Sequence, residues 1–160
     1  MKKFNKVFIA IVAASASFST FASDESFNAS IQLLEPITIT ESQSLSFEPT
    51  LSKQAVNVVT APSDTRAAVF SAQGTANESI SASVVETSIV MSKDGTGINA
   101  NETITVDSFK YGGNLASDGT GSFDSSGSLT NMRVGATAHV QSDDVSGDYI
   151  GTATLRVTYM

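Results

Sequence analysis

The chain has 160 residues, no cysteine, a single histidine and a formal net charge of −7, with 16 acidic residues against nine basic ones. No disulfide and no thiolate metal or redox centre can form. No cluster of Lys or Arg is present to neutralise phosphates, which argues against nucleic acid or anionic lipid as a partner.

Lys2, Lys3 and Lys6 precede an apolar run from Val7 to Ala16, and small residues follow as far as Thr20-Phe21-Ala22. This is the layout of a secretory signal peptide over residues 1–22, cleaved after Ala22. The run is short and is broken by Ser15, Ser17 and Ser19, and no other stretch is long and apolar enough to span a bilayer, so no stable membrane insertion is expected. Without cysteine, lipid anchoring through that residue is excluded. Residues 23–160 then form one domain with a single core. Loss of the three leader lysines leaves six basic residues against 16 acidic ones in it.

Phe27, Ala29, Ile31 and Leu33 share one parity opposite Asn28, Ser30 and Gln32, which predicts an amphipathic strand over residues 27–34. Pro36 interrupts it, marking an edge, a bulge or a crossing between sheets, before Ile37 and Ile39 resume the alternation. Leu45 and Phe47 predict a short strand ended by Pro49, and a further strand covers Ala55 to Thr60. Ala61-Pro62-Ser63-Asp64 is a turn. Strands follow over Ala67 to Ala72 and from Ile80 to Val84. The apolar parity then changes to Val85, Ile89 and Met91, which implies a bulge or turn near Glu86-Thr87. Lys93 to Asn101 is a loop. Ile104 and Val106 lie out of phase with Phe109 and Tyr111, implying a bulge around Asp107. Ser117 to Ser128 reads as a long permissive loop tethered by Phe123. Val134, Ala136, Ala138 and Val140 alternate with Gly135, Thr137, His139 and Gln141. A turn over Ser142 to Ser146 leads to the final strand, with Tyr149, Gly151, Ala153, Leu155, Val157 and Tyr159 on its buried parity. Eight or more short strands at about ten-residue spacing, with no helical stripe outside the leader, predict an all-β, immunoglobulin-like or jelly-like two-sheet sandwich.

The residues give little to an enzyme. His139 falls on the polar face of its strand, and no second imidazole or cysteine completes a catalytic or metal set. The abundant serines lack a base, and a hydrolase would have to rest on carboxylate pairs alone. Asp94-Gly95-Thr96-Gly97 and Asp118-Gly119-Thr120-Gly121 lack the spaced oxygen ligands of a calcium loop and read as turns. Asp143, Asp144 and Asp148 are brought close by one turn, either as solvated charges or as a weak cation site. No cofactor, metal or catalytic residue is assigned.

A glycine fourteen places from the C-terminus, alternating apolar residues and a penultimate tyrosine, here Gly147 and Tyr159, resemble the C-terminal pattern of subunits of bacterial chaperone-usher fimbriae. The whole exported chain is also similar to a broad family of small secreted bacterial β-sandwich proteins of uncharacterised function. The fimbrial resemblance implies an incomplete immunoglobulin-like sandwich. Its missing strand is lent first by a periplasmic chaperone and then, at an outer-membrane usher, by the N-terminal extension of the next subunit. Carried over, Phe27, Ala29, Ile31 and Leu33 form the donor face, and Tyr149, Leu155, Val157 and Tyr159 the accepting and chaperone-contacting region. The expected function is a structural subunit of a surface fimbria or pilus, with a part in adhesion, exported through the periplasm to the cell surface. The alternative is a self-contained secreted binding or extracellular-matrix module, in which residues 27–34 pair within their own fold.

Intact-mass analysis of surface-extracted protein should show a mature species beginning at Ser23. A species retaining Met1 to Ala22 would rule out processing at that site.

Overall fold

Among the described residues ten strands build two sheets: β1 (Thr38–Gln43), β2 (Val56–Thr60), β3 (Ala68–Gln73), β4 (Ser79–Val84), β5 (Ser88–Lys93), β6 (Thr103–Gly113), β7 (Thr120–Ser122), β8 (Ser128–Val140), β9 (Tyr149–Ile150) and β10 (Leu155–Tyr159). The computed structural model describes residues 23–160, so the signal peptide expected over residues 1–22 lies outside the described residues. The chain divides after Gln32. In the first unit, the described residues 23–32 are exposed and form no strand. The second, Leu33–Met160, is an all-β two-sheet sandwich.

The larger sheet has the order β1-β3-β8-β6-β5-β9, with β2 also paired to β8, and the smaller has the order β10-β4-β7. β8 is the axis of the larger sheet. Its first half pairs with β3 and its second half with β2, while β6 runs along its other side. Two breaks in parity have a local cause. Ser108 takes a positive φ of 53°, and the β6 register against β8 shifts between Asp107 and Lys110, which carries the inward set from Ile104 and Val106 to Phe109 and Tyr111. Asn131, with φ of 52°, lies where β8 passes from buried Leu129 to buried Met132 and Val134.

Several expectations are corrected. Of the bulge or turn expected near Glu86-Thr87, the structure has the turn: the parity change is the crossing from β4 in the small sheet to β5 in the large one. The loop over Ser117 to Ser128 contains β7, paired with β4, and Phe123 beyond it is buried. Leu45 and Phe47 form no strand. Instead Ser46 donates its N–H to Arg66 O at 2.9 Å and accepts the Thr60 hydroxyl at 2.8 Å, which holds the stretch down without a ladder. Residues 27–34 form no strand either. Alternation supplies apolar side chains for a buried face but not the surface to bury them on. The strand expected to run unbroken from Tyr149 to Tyr159 is two strands in two sheets. β9 pairs β5, residues 151–154 cross over, and β10 pairs β4.

Two apolar clusters result. The first gathers Ala72, Ile80, Ala82, Leu115, Phe123, Leu129, Met132 and Val157 from both sheets. The second, Ile104, Val106, Ala136, Ala138 and Val140, belongs wholly to β6 and β8, and the half-buried residues packed on it include Leu45, Phe47, Met91 and Tyr149 but none from β4, β7 or β10. Only the first half of the large sheet is therefore faced by strands of the small one.

Within β10, Val157 is buried and Thr158 exposed. Val157→Asp should remove about 3 kcal/mol or more of stability through an unpaired buried carboxylate, and Thr158→Asp about 0.5 kcal/mol or less. Denaturant unfolding of the two variants checks the assignment, and equal midpoints would reverse it.

Candidate functional site: a groove beside an open strand edge

β10 is the last strand of its sheet. The bonds from Val85 N–H to Thr154 O and from Met160 N–H to Ser79 O, with the Val157–Ala82 register, settle which residues face β4: Thr154, Arg156, Thr158 and Met160. By antiparallel alternation the N–H and C=O groups of Leu155, Val157 and Tyr159 point the other way. No strand among the described residues pairs with that edge.

Next to it the surface sinks into a depression of about 300 Å³. Its floor is Phe70, Val106, Phe109 and Val134 of the large sheet, and it is bordered by Ser44, Leu45 and Phe47 and by Gly151, Ala153 and Leu155. A second depression of about 460 Å³ shares Leu45, Phe47 and Met91 with the first and continues over Ile104, Ala138 and Val140 to Tyr149. Together they form a groove of mixed lining along β6 and β8, with Glu41, Ser44 and Thr152 among the polar residues of the first and Glu48, Asp144 and Asp148 among those of the second. A buried apolar floor beside unpaired backbone groups is what an added β-strand needs.

The accepting residues expected from sequence are divided by this geometry. Leu155 borders the first depression and Tyr149 the second, while Val157 and Tyr159 belong to the first cluster. Gly147 lies in the bend entering β9 with φ of +156°, and a Cβ there would meet the Lys93 side chain at 2.5 Å. The Tyr149 hydroxyl donates to Val145 O at 2.8 Å. Burial, then the charges of Asp144, Glu102 and Asp94, push its pKa up. The expected donor residues are open to solvent: Phe27 is 89%, Ile31 85% and Leu33 84% exposed, and Ala29 is exposed as well. Leu45 and Phe47 are groove residues that parity alone assigned to a strand of their own.

The acidic turn does not assemble a metal centre. Asp144 is 2% exposed, and its Oδ2 accepts the Gln141 N–H at 2.7 Å while Oδ1 has no partner, whereas Asp143 and Asp148 are exposed. Among the described residues no group of three or more His, Cys, Asp or Glu is placed to hold a metal ion. His139 lies on the outer, polar face of the large sheet, with Nε2 2.9 Å from Asp107 Oδ1 and Nδ1 2.8 Å from Asn57 Oδ1. It ties β2, β8 and β6 together and is remote in role from the groove. Asp118 and Asp124 close their turns by accepting N–H and hydroxyl groups from Thr120, and from Ser126 and Ser128. The DG repeats are thus turns, as their sequence suggests.

The fold and site define a two-sheet β-sandwich in which β10 is an edge strand, as β1, β7 and β9 are among the described residues, with two depressions beside it. Residues 17–159 match the family model described as a domain of unknown function, DUF4402, and the chain belongs to that family. Comparison with curated proteins returns no match.

The turn carboxylates carry a pH signature. The side-chain bonds from His139, Thr120 and Ser126 hold Asp107, Asp118 and Asp124 respectively below the ordinary value of 3.8. A depressed folded value means that their contribution is present above the ordinary value and is lost as pH falls through the folded one. The thermal midpoint should be level from about pH 5 to 7 and drop below about pH 4. In Asp124→Asn the acid slope should be shallower, and calorimetry across that range checks it.

Proposed function

We propose that the chain is an exported structural subunit of a bacterial surface filament, assembled by strand donation between copies of itself or related subunits. The observation that carries this reading is the unpaired outer edge of β10 beside the groove over β6 and β8. The occupant is a strand with alternating apolar side chains, since its backbone must complete the ladder and every second side chain must enter the groove. Phe27, Ala29, Ile31 and Leu33 have that alternation and are exposed within their own chain.

The same chemistry calls for a chaperone in transit, because an open edge with an apolar groove is prone to indiscriminate pairing. In this reading a periplasmic chaperone occupies the groove first, an outer-membrane usher manages the exchange, and the next subunit's residues 27–34 replace the chaperone at the cell surface. Adhesion follows from display on the filament.

Purified chain beginning at Ser23 should form ladders that resist mild denaturation. Ile31→Asp, at a site already exposed, should keep the wild-type thermal midpoint and weaken association at least about tenfold, the equivalent of 1.4 kcal/mol. If the wild-type chain stays monomeric at high concentration with Phe27 to Leu33 protected from hydrogen exchange, it is a self-contained secreted module and the filament reading is wrong.

A further inference from the structure

Tyr159 does two things at once. Its backbone lies on the open edge of β10, and its hydroxyl reaches across to the start of the domain, donating to Glu35 O at 2.6 Å and accepting the Thr75 N–H at 2.8 Å. Thr75 closes the ring of contacts, since its Oγ1 accepts the Glu35 N–H at 2.6 Å. Both backbone groups of Glu35 are therefore held, one by Tyr159 and one by Thr75. The ring of Tyr159 packs at 59° against Phe123 with centroids 6.0 Å apart. Gly74 makes the room: a Cβ there would lie 2.5 Å from the Tyr159 hydroxyl and 2.7 Å from the Phe123 ring. This is a built clasp, and it grips main chain alone, so it holds Glu35 whatever its side chain does.

The clasp sits where the exposed apolar segment joins the sandwich. Leu34 is half exposed and Leu33 is exposed, whereas Ile37, past Pro36, packs against the first cluster. Proline also restricts Glu35 to extended conformations, so the two bonds and the Pro36 ring act on the same residue. Resting on the strand-donation reading, we infer that Tyr159 and Thr75 are positioning residues for donation: they fix the root of residues 27–34, so that little further backbone ordering is needed when the segment enters a second copy. A freed root must be ordered again when the segment binds, which is enough for about a tenfold change in affinity. The effect is one-sided. It belongs to the subunit that gives the strand and not to the one that receives it.

The test separates these roles with the full chain from Ser23. Immobilised Ile31→Asp, which keeps its groove but has lost its donor face, serves as acceptor. Wild type, Tyr159→Phe and Thr75→Val are then passed over it as donors. Both variants should dissociate about tenfold faster than wild type, with thermal midpoints within about 3 °C of it. In the reverse arm, the double variant Thr75→Val/Ile31→Asp is the immobilised acceptor and should hold wild-type donor as long as Ile31→Asp does. Hydrogen exchange at the Glu35 amide should rise in both donor variants. Donor dissociation within twofold of wild type, or an equal loss in the acceptor arm, overturns the clasp while leaving strand donation standing. Failure of wild type itself to bind the acceptor overturns both. If Tyr159→Phe does not fold, Thr75→Val alone decides, because it leaves the Tyr159 ring and its bond to Glu35 in place.

Discussion

The structure depends on a mismatch between its two sheets. Among the described residues seven strands lie on one side and three on the other. A β-sheet buries one face only where something covers it, and β4, β7 and β10 cover the half of the large sheet that carries Ala72, Leu129 and Met132. Over Ile104, Val106, Ala136, Ala138 and Val140 the cover is made by the segment of Leu45 and Phe47, with Met91 and Tyr149 packed beside them from the same sheet and none from β4, β7 or β10. The groove, the open edge of β10 and the crossing at residues 151–154 all follow from that shortfall.

Because the shortfall lies at the end of a sheet, it is specific. A missing helix would leave an apolar patch that any apolar partner could cover. An unpaired strand edge instead presents the N–H and C=O groups of Leu155, Val157 and Tyr159, which an added extended backbone can pair in a ladder where water otherwise solvates them. In the proposed strand donation, affinity would come from the ladder and the groove together, and selectivity from which side chains alternate along the incoming segment. The bonds of Tyr159 and Thr75 to Glu35 place the outer edge of β10 and the residue before Pro36 in one hydrogen-bonded group.

The polar features have structural work to do. Asp118 and Asp124 shape turns, His139 bridges three strands, and Asp144 caps its turn through Gln141. Thr60 and Ser46 hold the segment of Leu45 and Phe47 over the second cluster. These contacts explain why a chain rich in Ser, Thr and Asp can be ordered without disulfides: short side chains bond to nearby backbone and close loops locally.

Much of this was readable from residues alone. The all-β class, most strand positions, the bulge at Asp107, the burial of Phe123 and the inward face of Val157 follow from period-2 alternation and its breaks, which are local properties. Turn chemistry at Asp94-Gly95 and Asp118-Gly119 is equally local. The tertiary structure decided what local pattern cannot: which sheet each strand joins and which face is left without a partner. The alternation from Tyr149 to Tyr159 looks the same whether the strand is continuous or crosses between sheets at Gly151. The alternation of Phe27 to Leu33 looks the same with or without a surface to cover it. Gly74 and Thr75 carried no signal at all, because their role comes from Tyr159, 84 residues away in the chain. Pairing is a relation between distant segments, so a period read along one segment specifies its own two faces and leaves its neighbours to the fold.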